Sequence, residues 1–184
     1  KRNITVFHME AGNRCYDSRV PEELNRKIVD HIADINMPYS DIARECLLRE
    51  NIPPQRVIKT GSPMYEVLQM KMFDINESNI VHRLNLIKDK YFVVSAHRDE
   101  NITDISSFKD LMTSLDAVAD TYRLPIIFAA HPRTKKMIDK ENIVLNPLIT
   151  IMKPLGFDDY VKLQLDSKVV LSDSGTISEE SSIL

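Results

Sequence analysis

Short apolar, β-branched runs alternate with longer amphipathic stretches along the chain, the pattern of a parallel sheet joined by crossover helices. The expected strands cover residues 4–8, 35–38, 57–60, 91–96, 125–130, 149–152 and 169–172. Several are apolar on both faces, as strands covered by helices on each side must be. Helices are expected between them, over residues 21–33, 40–50, 64–70, 76–86, 106–122, 134–140 and 158–165, with a last one from about residue 177. Pro21-Glu22-Glu23 opens the first of these, with acidic residues where the helix dipole favours them. Phe108, Leu111, Met112, Leu115 and Val118 fall on one helical face of the longest.

A break falls near residues 61–89. Thr60-Gly61-Ser62-Pro63 ends one alternation, a charged and polar stretch follows, and Tyr91 opens a fresh strand. A domain boundary is expected there. The chain also starts on a β-like run without an initiator methionine and stops inside an expected helix on Ser-Ser-Ile-Leu. It therefore reads as a piece of a longer protein.

Composition narrows the classes. Apolar residues make up 43% and charged residues 28% of 184 residues, so a globular core is expected. A net charge of −3 with no long basic block gives no electrostatic grip on nucleic acid. No apolar run approaches the ~20 residues that span a bilayer, and a cytoplasmic location is expected. Cys15 and Cys46 lack C-x-x-C spacing and read as small semi-buried hydrophobes in a reducing compartment.

Four segments could carry chemistry, and each follows an expected strand, where parallel α/β sheets place their sites. In His8-Met9-Glu10-Ala11-Gly12-Asn13-Arg14, Glu10 stands at a strand end as a base, a hydroxyl acceptor or a loop carboxylate paired with Arg14. Arg19-Val20-Pro21-Glu22-Glu23-Leu24-Asn25-Arg26, with Asp30 and His31 behind it, is either a plain helix N-terminus or one gathered around a polar ligand. The apolar strand through Phe92-Val93-Val94 ends in His97-Arg98-Asp99-Glu100-Asn101, and His131-Pro132-Arg133 repeats that arrangement. His97 titrates near neutrality and can shuttle a proton or bind phosphate. Finally, Asp173-Ser174-Gly175-Thr176 before a helix offers backbone N–H groups and hydroxyls to an anion. Glu180 follows one and a half turns in and can take both hydroxyls of a ribose.

Other chemistries lack their motifs. The chain has no H-E-x-x-H, no paired cysteines, no G-x-S-x-G elbow, no Walker loop and no G-x-G-x-x-G, and has only 4 glycines. Neither a metal nor a nicotinamide cofactor is expected.

Taken together, His8-Met9-Glu10-Ala11-Gly12, Pro21-Glu22-Glu23-Leu24-Asn25-Arg26, Thr60-Gly61-Ser62, His97-Arg98-Asp99-Glu100-Asn101, His131-Pro132 and Asp173-Ser174-Gly175-Thr176-Ile177-Ser178-Glu179-Glu180 resemble the non-hydrolysing UDP-N-acetylglucosamine 2-epimerase family in order and approximate spacing. Met9, Asn13-Arg14-Cys15, Asp17-Ser18-Arg19-Val20 and Asp34-Ile35-Asn36-Met37-Pro38-Tyr39 look most like its UDP-N-acetyl-L-fucosamine synthase branch, which serves capsule and O-antigen synthesis in bacteria. Gly175-Thr176 stands where the family often has Gly-Gly, and Asp99 where it commonly has a second arginine.

The resemblance implies an α/β, GT-B-like fold of two Rossmann-like parallel-sheet domains, lacking here its N-terminal strands and C-terminal end. Residues 1–61 would complete the N-terminal domain, 62–89 connect, and 90–184 begin the UDP-binding C-terminal domain. It implies C2 epimerisation of a UDP-N-acetylhexosamine by elimination and re-addition of UDP, with no cofactor, in a protein that is a homodimer when full length. The piece alone would be inactive. Glu10, Glu22 and His97 would be catalytic, while Arg14, Arg98, Glu100, Asn101, His131, Ser174, Gly175, Thr176 and Glu180 would bind substrate. The alternatives are a GT-B UDP-sugar glycosyltransferase and a UDP-sugar-binding regulatory module.

Overall fold

A computed structural model describes residues 4–17, 20–96, 104–130 and 132–184. The chain divides into two compact units, Lys1–Pro63 and Met64–Leu184.

In the first unit, β1 (Phe7–Met9) pairs in parallel with β2 (Ile35–Met37), and α1 (Pro21–Ile32) is the crossover between them. Pro21 sits in the first turn of α1, where its missing N–H is no loss. Ser40 caps α2 (Asp41–Arg49) through its hydroxyl, which accepts from the Ala43 N–H at 3.1 Å. The strand expected at 57–60 is reduced to a bridge between Asn36 and Val57. Ile58 and Thr60 donate to the carbonyls of Asn36 and Pro38, but Pro38 has no N–H to return. That starves the ladder.

Buried charge holds this unit together. Asp30, with no exposed surface, lies in the last turn of α1, where the helix dipole disfavours a carboxylate. Its oxygens meet His8 Nδ1 at 2.6 Å, the Arg14 guanidinium at 2.7 Å and the Gly12 N–H at 3.2 Å. Arg14 also donates to both oxygens of Glu50, each at 2.7 Å. Glu23, in the first turn of α1, turns inward and accepts from the Cys15 N–H at 2.9 Å. That bond, helped by Lys27 and the Cys15 thiol, holds its carboxyl down to about 2.

The second unit carries a four-stranded parallel sheet of order β5-β4-β3-β6: β3 (Phe92–Ser95), β4 (Ile126–Ala129), β5 (Ile149–Met152) and β6 (Val169–Ser172). Alternate residues face opposite layers. Phe92, Val94, Ile126 and Phe128 pack with Phe108, Met112 and Leu115 of α5 (Ile105–Tyr122). Tyr91, Val93 and Ile127 pack instead with Ile80 and Leu163. Burying each Phe or Leu stabilises such a core by about 1.5–3 kcal/mol. The other helices are α3 (Met64–Glu77), α4 (Ile80–Arg83), α6 (Pro132–Lys140), α7 (Phe157–Leu165) and α8 (Gly175–Ile183).

Between residues 64 and 86 the elements differ from expectation. α3 runs seven residues past 70 because Leu68 and Ile75, one heptad apart, both pack on Val161 of α7. The helix expected at 76–86 shrinks to the single turn of α4. Ser78 breaks the run by donating its hydroxyl to Asp159 at 2.6 Å. Among the described residues, no helix is long and apolar enough to cross a membrane.

Two outcomes test this account of the first unit. Gly12 has φ +82°, and a Cβ there would lie 2.2 Å from the Ala43 carbonyl oxygen. Gly12→Ala should therefore destabilise the intact protein by at least about 2 kcal/mol, read by denaturant unfolding. Glu23 has a depressed folded-state pKa, so its stabilising effect is complete above the ordinary value of 4.5 and is lost as pH falls toward 2. The stability advantage of wild type over Glu23→Gln should shrink across that window. An advantage that stays constant from pH 6 to 2.5 would contradict the assignment.

Candidate functional site

The two carboxylates expected at the sugar both lie in the first unit. Glu10 follows β1 with φ 60°, a left-handed backbone that a non-glycine residue adopts only when its surroundings enforce it. Its side chain is exposed and accepts from Asn13 Nδ2 at 2.9 Å. The local ion pair between Glu10 and Arg14, one of the open readings, is replaced by this amide contact.

Arg14 is placed differently from a ligand-facing cation. Its side chain is 1% exposed. Four of its guanidinium contacts go to Glu50, Asp30 and the Asn13 carbonyl, and the Glu50 and Asp30 carboxylates raise its pKa further against the opposing effect of burial. The same contact lowers that of Glu50. Within the described residues, Arg14 serves the loop after β1.

The adjacent acids of Pro21-Glu22-Glu23 separate cleanly. Glu23 is buried and tied to Cys15, whereas Glu22, one position earlier on α1, is exposed. A helix turns about 100° per residue, so neighbours cannot share a face. Only Glu22 is open to another molecule. Arg19, expected beside it, lies outside the described residues.

The second unit builds an anion-binding geometry at one place. β3 and β6 are neighbours, yet β4 and β5 lie on the far side of β3, so the chain direction across the sheet reverses between β3 and β6. Open α/β sheets bind ligands in the crevice at such a reversal. The strand ends are laced there: the Ser172 hydroxyl donates to the Ser95 carbonyl at 3.0 Å, and the Ser174 N–H donates to the Ser172 Oγ at 3.0 Å. α8 then starts at Gly175. Its N-cap Ser174 is extended and makes no side-chain cap bond, and Gly175 and Thr176 are exposed. First-turn N–H groups without a capping oxygen favour an anion.

Glu180 lies further along α8, only 5% exposed, and its Oε2 accepts from Gln164 Nε2 of α7 at 3.0 Å. Tyr160, one turn before Gln164, has a buried hydroxyl with no hydrogen-bond partner among the described residues. Burial pushes its pKa up, and the Glu180 charge adds to that. No local sequence signal pointed to Gln164 or Tyr160. His97, Arg98, Glu100, Asn101 and His131 lie outside the described residues. Their neighbours, Ala96 at the end of β3 and Pro132 at the start of α6, are within them.

The whole chain, residues 1–184, matches the Epimerase_2 family, UDP-N-acetylglucosamine 2-epimerase. It is 33% identical over 192 residues to the UDP-N-acetylglucosamine 2-epimerase of Methanocaldococcus jannaschii, covering 100% of this chain and 52% of that protein. Among solved structures, it is similar to the UDP-N-acetylglucosamine 2-epimerase of Rickettsia bellii, with TM-score 0.88, 45% identity, and coverage of 98% of this chain and 48% of the other. It is equally similar in fold to the M. jannaschii UDP-GlcNAc 2-epimerase in complex with UDP-GlcNAc and UDP, with TM-score 0.88, 31% identity, and coverage of 98% and 51%. The α/β fold with parallel sheets is thus that of GT-B-like epimerases, and the chain spans about half the length of the relatives it matches. On that match, which runs through every described element of both units, the chain belongs to the UDP-N-acetylglucosamine 2-epimerase family.

Proposed function

We propose that the intact protein inverts carbon 2 of a UDP-N-acetylhexosamine by eliminating and re-adding UDP. The observation that carries this reading is the chain reversal between β3 and β6, followed by a helix whose N-cap Ser174 makes no side-chain cap bond and which carries Glu180. The exposed Glu22 and strained Glu10 add the carboxylates that a glycosyltransferase of the same architecture has no need of.

The chemistry sets the requirements. No carbonyl flanks C2, so its proton is not acidic in the resting sugar. As the C1–O bond stretches, the ring gains oxocarbenium character and C2–H becomes acidic enough for a carboxylate. The C2–H electrons form the C1=C2 bond of a 2-acetamidoglycal, the C1–O electrons leave with UDP, and a carboxylate keeps the proton. Return of UDP to C1, with a proton delivered to the opposite face of C2, completes the inversion. Glu10 and Glu22 act at the sugar, one of them in proton transfer. His97 holds the pyrophosphate through departure and return, and Arg98, Glu100, Asn101 and His131 bind substrate. Ser174, Gly175 and Thr176 bind phosphate oxygens, and Glu180 binds the ribose. Arg14 contributes from behind the loop.

Residues 1–61 form the end of one Rossmann-like domain and 90–184 the start of the UDP-binding one, in a cytosolic homodimer. Its substrate is UDP-N-acetylglucosamine or the UDP-N-acetyl-L-pneumosamine of the fucosamine branch, for capsular or other surface polysaccharide.

Glu22→Gln should lower the exchange of the C2 proton with solvent deuterium by about 10²–10⁴-fold in the intact protein; undiminished exchange would remove Glu22 from catalysis. Incubating wild type with UDP-N-acetyl-L-pneumosamine or UDP-N-acetylglucosamine and no acceptor should yield the C2 epimer, identified by NMR. Free sugar plus UDP, or no reaction with either donor, would reject the epimerase reading.

A further inference from the structure

One carboxylate brackets Glu10 from both sides. Asp30 Oδ1 takes His8 Nδ1 two residues before it, while Oδ2 takes the Arg14 guanidinium four residues after it. The Gly12 N–H, two residues after Glu10, meets both oxygens at 3.2 and 3.4 Å. Since an ionised carboxylate only accepts, the His8 Nδ1 carries the proton in that pair. Asp30 is itself immobilised: its side chain has no exposed surface, and Asn36, also buried, donates Nδ2 to its backbone carbonyl at 2.9 Å. Asn36 is the β2 partner of His8 in the strand register.

This arrangement explains the backbone of Glu10. A left-handed backbone is disfavoured for a non-glycine residue and persists where its surroundings over-determine it. Asn13 restrains the Glu10 side chain, but nothing in that one exposed contact fixes the turn itself. Asp30 does so, by pinning residues 8, 12 and 14 to a single rigid point. The sequence separation of 20 residues between Glu10 and Asp30 hides this from any local pattern.

We infer that Asp30, with His8 as its N-terminal arm, is a positioning residue that sets the aim of the Glu10 carboxylate in the epimerisation. The inference rests on the proposed role of Glu10 and adds to it a group that never touches substrate. Misplacing a reacting group by about 1 Å can cost about a hundredfold in rate. Loss of the clamp therefore acts on turnover more than on substrate affinity.

The test uses the intact protein with Asp30→Asn, His8→Leu and His8→Asn, each also combined with Glu10→Gln, and reads kcat, KM and thermal unfolding. His8→Leu and Asp30→Asn should each lower kcat by roughly tenfold to a hundredfold with KM within about twofold. His8→Asn, whose amide can donate in place of Nδ1, should recover most of the loss. On the Glu10→Gln background none of them should lower kcat further, because the group they aim is gone. If Asp30→Asn does not fold, the His8→Leu and His8→Asn pair decides the matter at a half-buried position. Folded variants that keep kcat within twofold while Glu10→Gln has lost it would overturn the clamp. So would losses that simply add to that of Glu10→Gln, as would failure of His8→Asn to rescue. Full turnover by Glu10→Gln itself would instead sink the role of Glu10 and leave the geometry of the clamp standing.

Discussion

Parallel strands deliver every following loop to the same edge of their sheet, and the candidate groups of this chain depend on that constraint. Glu10 follows β1 and Ser174 follows β6, each at a strand's carboxyl end. An antiparallel arrangement would send alternate loops to opposite edges and scatter the same residues. In the second unit the order β5-β4-β3-β6 adds a second consequence. The helix after β3 packs on the Phe92 and Val94 face, whereas the helix after β6 packs with α3 and α7, the arrangement at which open α/β sheets place a ligand crevice. The apolar packing of Phe92, Val94 and Phe128 on one face, and Tyr91, Val93 and Ile127 on the other, is what fixes that order.

The first unit uses a different currency. Its described apolar core is small, built on Ala11, Leu47, Ile52 and Val57, and the loop that carries Glu10 is held by charge. Burying Asp30 and Arg14 is unfavourable for each alone, since desolvation of an ion costs several kcal/mol. Here His8, Gly12, Glu50 and the Asn13 carbonyl supply the remaining partners. Apolar residues of similar volume could match the stability but not the direction of the bonds. Hydrogen bonds of fixed geometry specify where a loop lies, and a loop with a strained residue at its apex needs that specification.

Legibility in the sequence followed the range of the interaction. Strands β3 to β6 and helix α5 were readable because their signals, apolar runs and a 3.6-residue period, are local. Ser40 as a cap was readable for the same reason. The length of α3 was not, because it is decided by Val161, far along the chain. Glu23 and Glu22 were indistinguishable as text; what separates them is the Cys15 N–H, which only the folded loop brings to α1. Arg14 looked like a cation offered to a ligand because Glu50 and Asp30 are 36 and 16 residues away. Asp30 was visible as a residue near the second motif, yet nothing in its spacing indicated three donors.

Two glycines show how far packing alone explains this chain. Gly12 is demanded by the fold: its φ is +82°, and the Ala43 carbonyl leaves no room for a methyl group. Gly175 is not. Its backbone lies outside the left-handed region, and a Cβ there meets nothing within 4 Å among the described residues. Glycine at the start of a helix forfeits stability relative to alanine through backbone entropy. Neither sterics nor dihedral angle requires glycine at this position. A pyrophosphate at the proposed site is one group that a glycine there lets approach the backbone without a side chain in the way. Thr176 beside it would then offer the proposed phosphate site a hydroxyl where a second glycine would offer only an N–H.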